Sequence, residues 1–167
     1  MSISAGENRV ITETFLDDIA ATERLATKIA GCSERGDVIA LSGELGSGKT
    51  TFARFFIRAL GIAGEVPSPT FMLAQLYQTV GPTIWHFDFY RISNSDEAFE
   101  LGMEEAFTEG ISLIEWPERI SGRLPLDRLD VELGFVSGSE YSRSVRLLGD
   151  DRWRARLNKV GTTNWPS

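Results

Sequence analysis

Gly43-Glu44-Leu45-Gly46-Ser47-Gly48-Lys49-Thr50 decides the reading of this chain. It meets the pattern G-x-x-x-x-G-K-[ST] at every fixed position. Its three glycines let the backbone close into a tight concavity with N–H groups pointing inward. Side chains there would keep phosphate oxygens at a distance. Lys49 carries a charge on a stem long enough to reach β- and γ-phosphates. Thr50 offers a hydroxyl to a magnesium ion bridging them. The flanks agree. Val38-Ile39-Ala40-Leu41 is a short apolar run, as a buried parallel strand requires. Phe52, Phe55, Phe56, Ala59 and Leu60 recur at helical spacing after the loop, and Gly61 stands where a helix ends.

Phosphate binding needs a metal partner and a group that handles water. Two carboxylates end apolar runs: Asp88 after Thr83-Ile84-Trp85-His86-Phe87, and Glu115 after Ile111-Ser112-Leu113-Ile114. If both strands run parallel to the strand before the loop, both acids arrive at its mouth. One then holds the metal, and the other orients a water or acts as base. His86 shares a strand face with Asp88 and reads as a buried histidine bonded to the backbone. Arg91 pairs with an acid or reaches a phosphate. Trp116 reads as core.

The rest of the chain gives an α/β alternation. Arg9–Thr14 reads as a strand, and Asp17 or Asp18 caps a helix with Ile19, Leu25, Ala26 and Ile29 on one face, ended by Gly31. Val66-Pro67-Ser68-Pro69-Thr70-Phe71 excludes a helix and reads as a stiff extended loop, a connection or a switch. Phe71–Tyr77 reads as a strand forming a hairpin with the Thr83–Asp88 run through Gly81-Pro82. Asn94 or Ser95 opens a short helix that Gly102 breaks, and Met103, Ala106 and Phe107 continue it. Leu129–Phe135 and Ser144–Leu148 form an antiparallel hairpin at the end of the sheet. Trp153 and Leu157 sit at helical spacing. Residues 1–8 are expected to be disordered, 9–157 to form one domain and 158–167 a flexible tail.

At 167 residues, 42% hydrophobic and 25% charged, the chain has material for one full core. The net charge of −7 opposes independent binding to nucleic acid. The anion site must therefore work against the global field. Cys32 is the one cysteine, so no internal disulfide forms and a reducing compartment is expected. No apolar run approaches the roughly 20 residues of a membrane span, and the N-terminus lacks the features of a signal peptide.

Four stretches together resemble the bacterial TsaE (YjeE) family over residues 9 to 150. They are residues 43–52, Pro67-Ser68-Pro69-Thr70-Phe71, His86-Phe87-Asp88-Phe89-Tyr90-Arg91 and Ile114-Glu115-Trp116-Pro117. The resemblance implies a P-loop NTPase fold: a central, mostly parallel sheet flanked by helices, with a C-terminal antiparallel hairpin. It implies a cytoplasmic ATPase of tRNA threonylcarbamoyladenosine biosynthesis, using ATP and Mg2+. Glu44, Leu45, Gly46, Ser47, Gly48, Lys49, Thr50 and Thr51 would contact the nucleotide, with Thr70 in a switch loop. Thr50 and Glu115 would hold the metal. Lys49, Asp88 and Glu115 would carry turnover, and the adenine would lie near Thr14 to Asp18. TsaB and TsaD would be the partners, tRNA would be met only through them, and the chain alone would be a monomer with low basal activity.

Two other classes use the same loop. A small-molecule kinase normally adds a lid, and no Arg-rich insertion follows the loop helix. A GTP-dependent switch commonly carries Asn-Lys-x-Asp, and Asn158-Lys159-Val160-Gly161 lacks the acid.

Overall fold

A computed structural model describes residues 9–160. The expected disordered segment 1–8 and the tail from 161 onward lie outside the described residues. Seven strands form one sheet: β1 (Arg9–Leu16), β2 (Val38–Ser42), β3 (Ala74–Tyr77), β4 (Ile84–Asp88), β5 (Ile111–Glu115), β6 (Leu129–Val136) and β7 (Ser139–Gly149). Their order is β1-β7-β6-β2-β5-β4-β3. β6, β2, β5 and β4 run parallel, and β3, β7 and β1 pair antiparallel to their neighbours. The fold is α/β with a largely parallel centre.

Two layers of helix cover this sheet. On one face lie α1 (Ile19–Gly31), α2 (Lys49–Ala59) and α5 (Asp151–Lys159). Leu25, Ile29, Phe52, Phe56, Trp153 and Leu157 from these helices meet Ile39, Leu41, Ile84, Ile111, Leu113 and Val131 of the sheet. Each phenylalanine fully removed from water there contributes roughly 1.5–3 kcal/mol. On the other face, α3 (Ser95–Glu100), α4 (Met103–Glu109) and a 3-10 stretch (Pro117–Arg123) cover Val38, Trp85, Phe87 and Ile114. The period of two along each strand therefore has a functional result. Ile84, His86 and Asp88 share one face of β4, and Ile111, Leu113 and Glu115 share that same face of β5. It is the face that α2 covers.

Local chemistry sets the ends of elements. Asp18 caps α1, its carboxylate accepting from Ala21 N at 2.8 Å. α1 ends at Gly31, as expected, with Cys32 as its C-cap. Gly61, at φ +97°, ends α2 as the sequence requires. Asp37 is 2% exposed at the entry to β2. It accepts from Glu34 N at 2.6 Å and from Arg156 Nη1 of α5 at 2.5 Å. That pair ties the last helix to the start of the strand that delivers the glycine loop.

Three expectations need correction. The strand expected over Phe71–Tyr77 begins only at Ala74. Leu73 is in the left-handed region at φ 64°, which no strand residue adopts, and Phe71 and Met72 are exposed. The β6–β7 hairpin is not at the end of the sheet, because β1 pairs outside β7 from Arg9 to Leu16. Asn158 and Lys159 complete α5, two residues beyond the boundary drawn at 157.

Candidate functional site

The turn from β2 into α2 holds the first half of the site. Gly43 has φ +146°, and a Cβ there would lie 2.4 Å from Leu133 O and 2.5 Å from Ser47 Oγ. Only glycine fits against β6. Gly48, at φ +109°, opens α2 with no side chain capping the first-turn amides. Those free N–H groups and the helix dipole suit the concavity to an anion. Lys49 is only 5% exposed. Its Nζ donates to Gly43 O at 2.7 Å and Glu44 O at 3.0 Å and stands 4.0 Å from the centre of the Trp116 ring. Burial holds its ammonium below the usual lysine range, and Glu115, Glu118 and Asp88 pull the other way.

The second half comes from β4 and β5. Both run parallel to β2, and Asp88 pairs with Glu115 across the ladder. Glu115 is 2% exposed and fully engaged. Thr50 Oγ1 donates to its Oε1 at 2.6 Å, and His86 Nε2 lies 2.7 Å from its Oε2. A carboxylate only accepts, so the proton of that second bond sits on His86 Nε2. His86 is fully buried, and its Nδ1 has no hydrogen-bond partner. The histidine thus serves the acid rather than the backbone.

Asp88 faces the loop between α2 and β3. Its Oδ2 accepts from Thr70 Oγ1 at 3.0 Å, and its Oδ1 from Tyr90 N at 3.0 Å. Ser68 Oγ lies 2.7 Å from Thr70 Oγ1. Leu73 closes the loop, its N–H on Pro69 O at 2.7 Å and its carbonyl accepting Asp88 N at 3.0 Å. Leu73 and Trp116 are the two non-glycine residues at positive φ among those described, and both border the site. Such backbone costs about 1–3 kcal/mol each and collects where geometry is functional.

Between these halves lies a cleft of about 310 Å³, lined by Lys49, Thr50, Thr70, Asp88, Arg91, Glu115 and Trp116 among others. A second hollow of about 140 Å³ opens on the other side of Gly46 and Gly48. Ile19 and Thr22 of α1, Leu133 of β6, and Tyr141 and Arg143 of β7 line it. Arg143 Nε donates to Ser47 O at 3.2 Å, fastening the hairpin to the loop. The two hollows share Gly46, Gly48 and Thr51, so they adjoin at the helix N-terminus.

Lys49, Thr50, Thr70, Asp88 and Glu115 come together around the cleft, and Leu45, Gly46, Gly48 and Thr51 line it as well. Ser47 faces the second hollow, and Glu44 takes part through its carbonyl. Trp116 packs against the core, as read, but it also lines the cleft, which sequence reasoning missed together with Tyr90, whose ring lies 4.8 Å from that of Trp116. Their place directly after the two strand-ending acids was the available signal. Ile19 and Thr22 of α1, just after Thr14 to Asp18 in sequence, line the second hollow.

The model of the family "Threonylcarbamoyl adenosine biosynthesis protein TsaE" matches residues 16–145. A Rickettsia bellii protein described as tRNA threonylcarbamoyladenosine biosynthesis protein TsaE is 38% identical over 84% of this chain and 90% of its own length. The Bacillus subtilis protein of that description is 40% identical over 77% of this chain and 81% of its own. The crystal structure of YdiB from Bacillus subtilis superposes with a TM-score of 0.76 at 26% identity, covering 93% of this chain and 96% of that one.

Proposed function

The chain belongs to the TsaE family of threonylcarbamoyl adenosine biosynthesis proteins, and from that premise we propose that it binds and hydrolyses ATP with Mg2+ in the service of tRNA modification. The observation that carries the reading is the Thr50–Glu115 contact, 2.6 Å, beside a buried Lys49 at an uncapped helix start. A glycine concavity alone would bind any small anion. A hydroxyl and a carboxylate joined at its edge add the makings of a metal site.

The residues fit magnesium. Thr50 Oγ1 and Glu115 Oε1 stand side by side at the mouth of the loop, a hydroxyl and a carboxylate oxygen of the hard-donor kind that the ion takes. Magnesium takes its other ligands from phosphate and water. When bound, the ion would neutralise β- and γ-phosphate oxygens. Lys49 exchanges its contacts with Gly43 O and Glu44 O for phosphate oxygens, at no cost in new burial. Loop amides orient the chain of phosphates along the cleft. Ile19, Leu133 and Tyr141, which line the adjoining hollow, would hold the base. Asp88 accepts a hydrogen bond from, and so aligns, the attacking water. Thr70 shares Asp88 Oδ2, so movement of the 66–73 loop would change how Asp88 holds that water, which makes the loop the switch.

TsaB and TsaD are the proposed partners, with tRNA met through them. Phosphate release from ATP should be slow for the chain alone and faster with the TsaB–TsaD pair. It should need no added acceptor, which separates this reading from a kinase. A chain that binds neither ATP nor ADP, or that transfers phosphate only to a small acceptor, would overturn it.

A further inference from the structure

We propose that Arg91 is the cation that meets the charge developing on the transferring phosphoryl group, and that Phe71 holds it in reserve. The inference rests on the ATP-hydrolysis reading above. Transfer of a phosphoryl group spreads negative charge over three equatorial oxygens, and sites of this class add a cation for it. The cleft has two candidates. Lys49 and Arg91 are the cationic side chains that line it among the described residues. Lys49, once it turns from Gly43 O and Glu44 O, is spent on the ground-state phosphates, and Asp88 and Glu115 line the cleft with opposite charge. A second positive group is therefore the missing element.

Arg91 is placed and free to act. Its backbone follows Asp88 in a pinned turn: Phe89 N donates to Glu115 O at 3.1 Å, and Ile92 N to Phe89 O at 3.2 Å. Phe89 and Ile92 are buried on either side of it. The Arg91 side chain is exposed and makes no hydrogen bond or ion pair with any described residue. Its guanidinium instead lies 4.7 Å from the centre of the Phe71 ring, and that ring is 82% exposed. Stacking occupies the flat face of a guanidinium and leaves its five N–H donors unused. A planar fork of that kind suits two equatorial oxygens at once. Phe71 sits one residue after Thr70, which is bonded to Asp88. Movement of the loop would release the water-aligning acid and the reserve cation together.

The test compares Arg91→Ala and Arg91→Lys with the native chain by calorimetry and by phosphate release. Titrations use ADP with Mg2+, without and with aluminium fluoride as the transition-state mimic, alone and with the TsaB–TsaD pair. Arg91→Ala should bind ADP as the native chain does, lose the tighter binding with aluminium fluoride, and turn over about 10³-fold more slowly. Arg91→Lys should recover little, since an ammonium lacks the fork. Phe71→Ala should raise partner-free turnover about two- to fivefold, the worth of an exposed cation–π contact. Equal affinity of the native chain and Arg91→Ala for the aluminium fluoride complex would overturn the role of Arg91. Unchanged turnover in Phe71→Ala would remove the holding contact. A native chain that fails to bind ADP would instead strike the nucleotide reading itself.

Discussion

Replacing Lys49 by Met separates what this lysine does for the nucleotide from what it does for the fold. Met preserves most of the buried stem and removes the charge. Two terms then oppose each other in the ligand-free protein. The contacts from Nζ to Gly43 O and Glu44 O are lost, each worth about 1.5–3 kcal/mol. The desolvation of a nearly buried ammonium, which costs several kcal/mol, is lost as well. They are of like size, so the ligand-free melting temperature should change little. The ligand term is larger and one-sided. A nucleotide at 100 times its Kd stabilises the native state by about 2.7 kcal/mol. For a chain of this size each kcal/mol is about 2–4 °C, so Mg-ATP should raise the native melting temperature by roughly 5–10 °C. In Lys49→Met that rise should vanish. The pH dependence gives a second readout. The folded lysine has a pKa below its ordinary 10.5, so at alkaline pH the unfolded chain binds more protons. Stability from this group therefore increases as pH rises through the folded pKa toward 10.5. Lys49→Met should flatten that increase. Thermal melts by circular dichroism between neutral and alkaline pH measure both. A variant that keeps the ATP shift, or melts far below the native chain without ligand, would refute the reasoning.

Three further outcomes follow from the same geometry. Asp88→Ala should still bind nucleotide but turn over about 10²–10⁴-fold more slowly, because a water-aligning acceptor is gone; single-turnover hydrolysis measures it, and unchanged turnover removes Asp88 from the chemistry. His86→Leu strips the donor from Glu115 Oε2 in a fully buried place and should cost about 1–3 kcal/mol of stability. It should also raise the Mg2+ concentration needed for tight nucleotide binding, with His86→Gln restoring part of it; a magnesium titration followed by Trp116 fluorescence checks this. Burial pushes the Cys32 thiol up from 9.0 to about 11. At pH 8 its alkylation by iodoacetamide should be about tenfold slower than that of free cysteine, a smaller thiolate fraction partly offset by greater nucleophilicity. Equal rates would show that the thiol is not held back.

The glycine loop was legible because its chemistry is local. Three glycines, a lysine and a threonine at fixed spacing need no partner strand to be recognised. Asp88 and Glu115 were legible as strand ends, and their shared face follows from the period of two. What they touch was not. The His86–Glu115 bond depends on the β4–β5 register, which no single strand encodes. Phe71-Met72-Leu73 looks like the start of a strand because it is apolar. The structure spends those side chains on a loop whose bend at Leu73 is set by Pro69 O within the loop and by Asp88 N of β4, the second a contact with another element. Trp116 was hidden for the opposite reason: its bulk reads as core, yet its ring stands under the Lys49 ammonium. The placement of β1 outside the hairpin is equally non-local, resting on pairing between residues more than a hundred positions apart.

The central claim is that residues 43–50 hold a triphosphate with its metal against Glu115 and Asp88. A crystal structure grown with Mg2+ and a non-hydrolysable ATP analogue tests it most directly. Phosphate oxygens should lie on the amides of Gly46 to Thr50 with Lys49 Nζ turned toward them, and the ion should stand between Thr50 Oγ1 and the Glu115 carboxylate. Nucleotide bound elsewhere, or bound there with Lys49 still on Gly43 O and no metal at Thr50, would contradict the account.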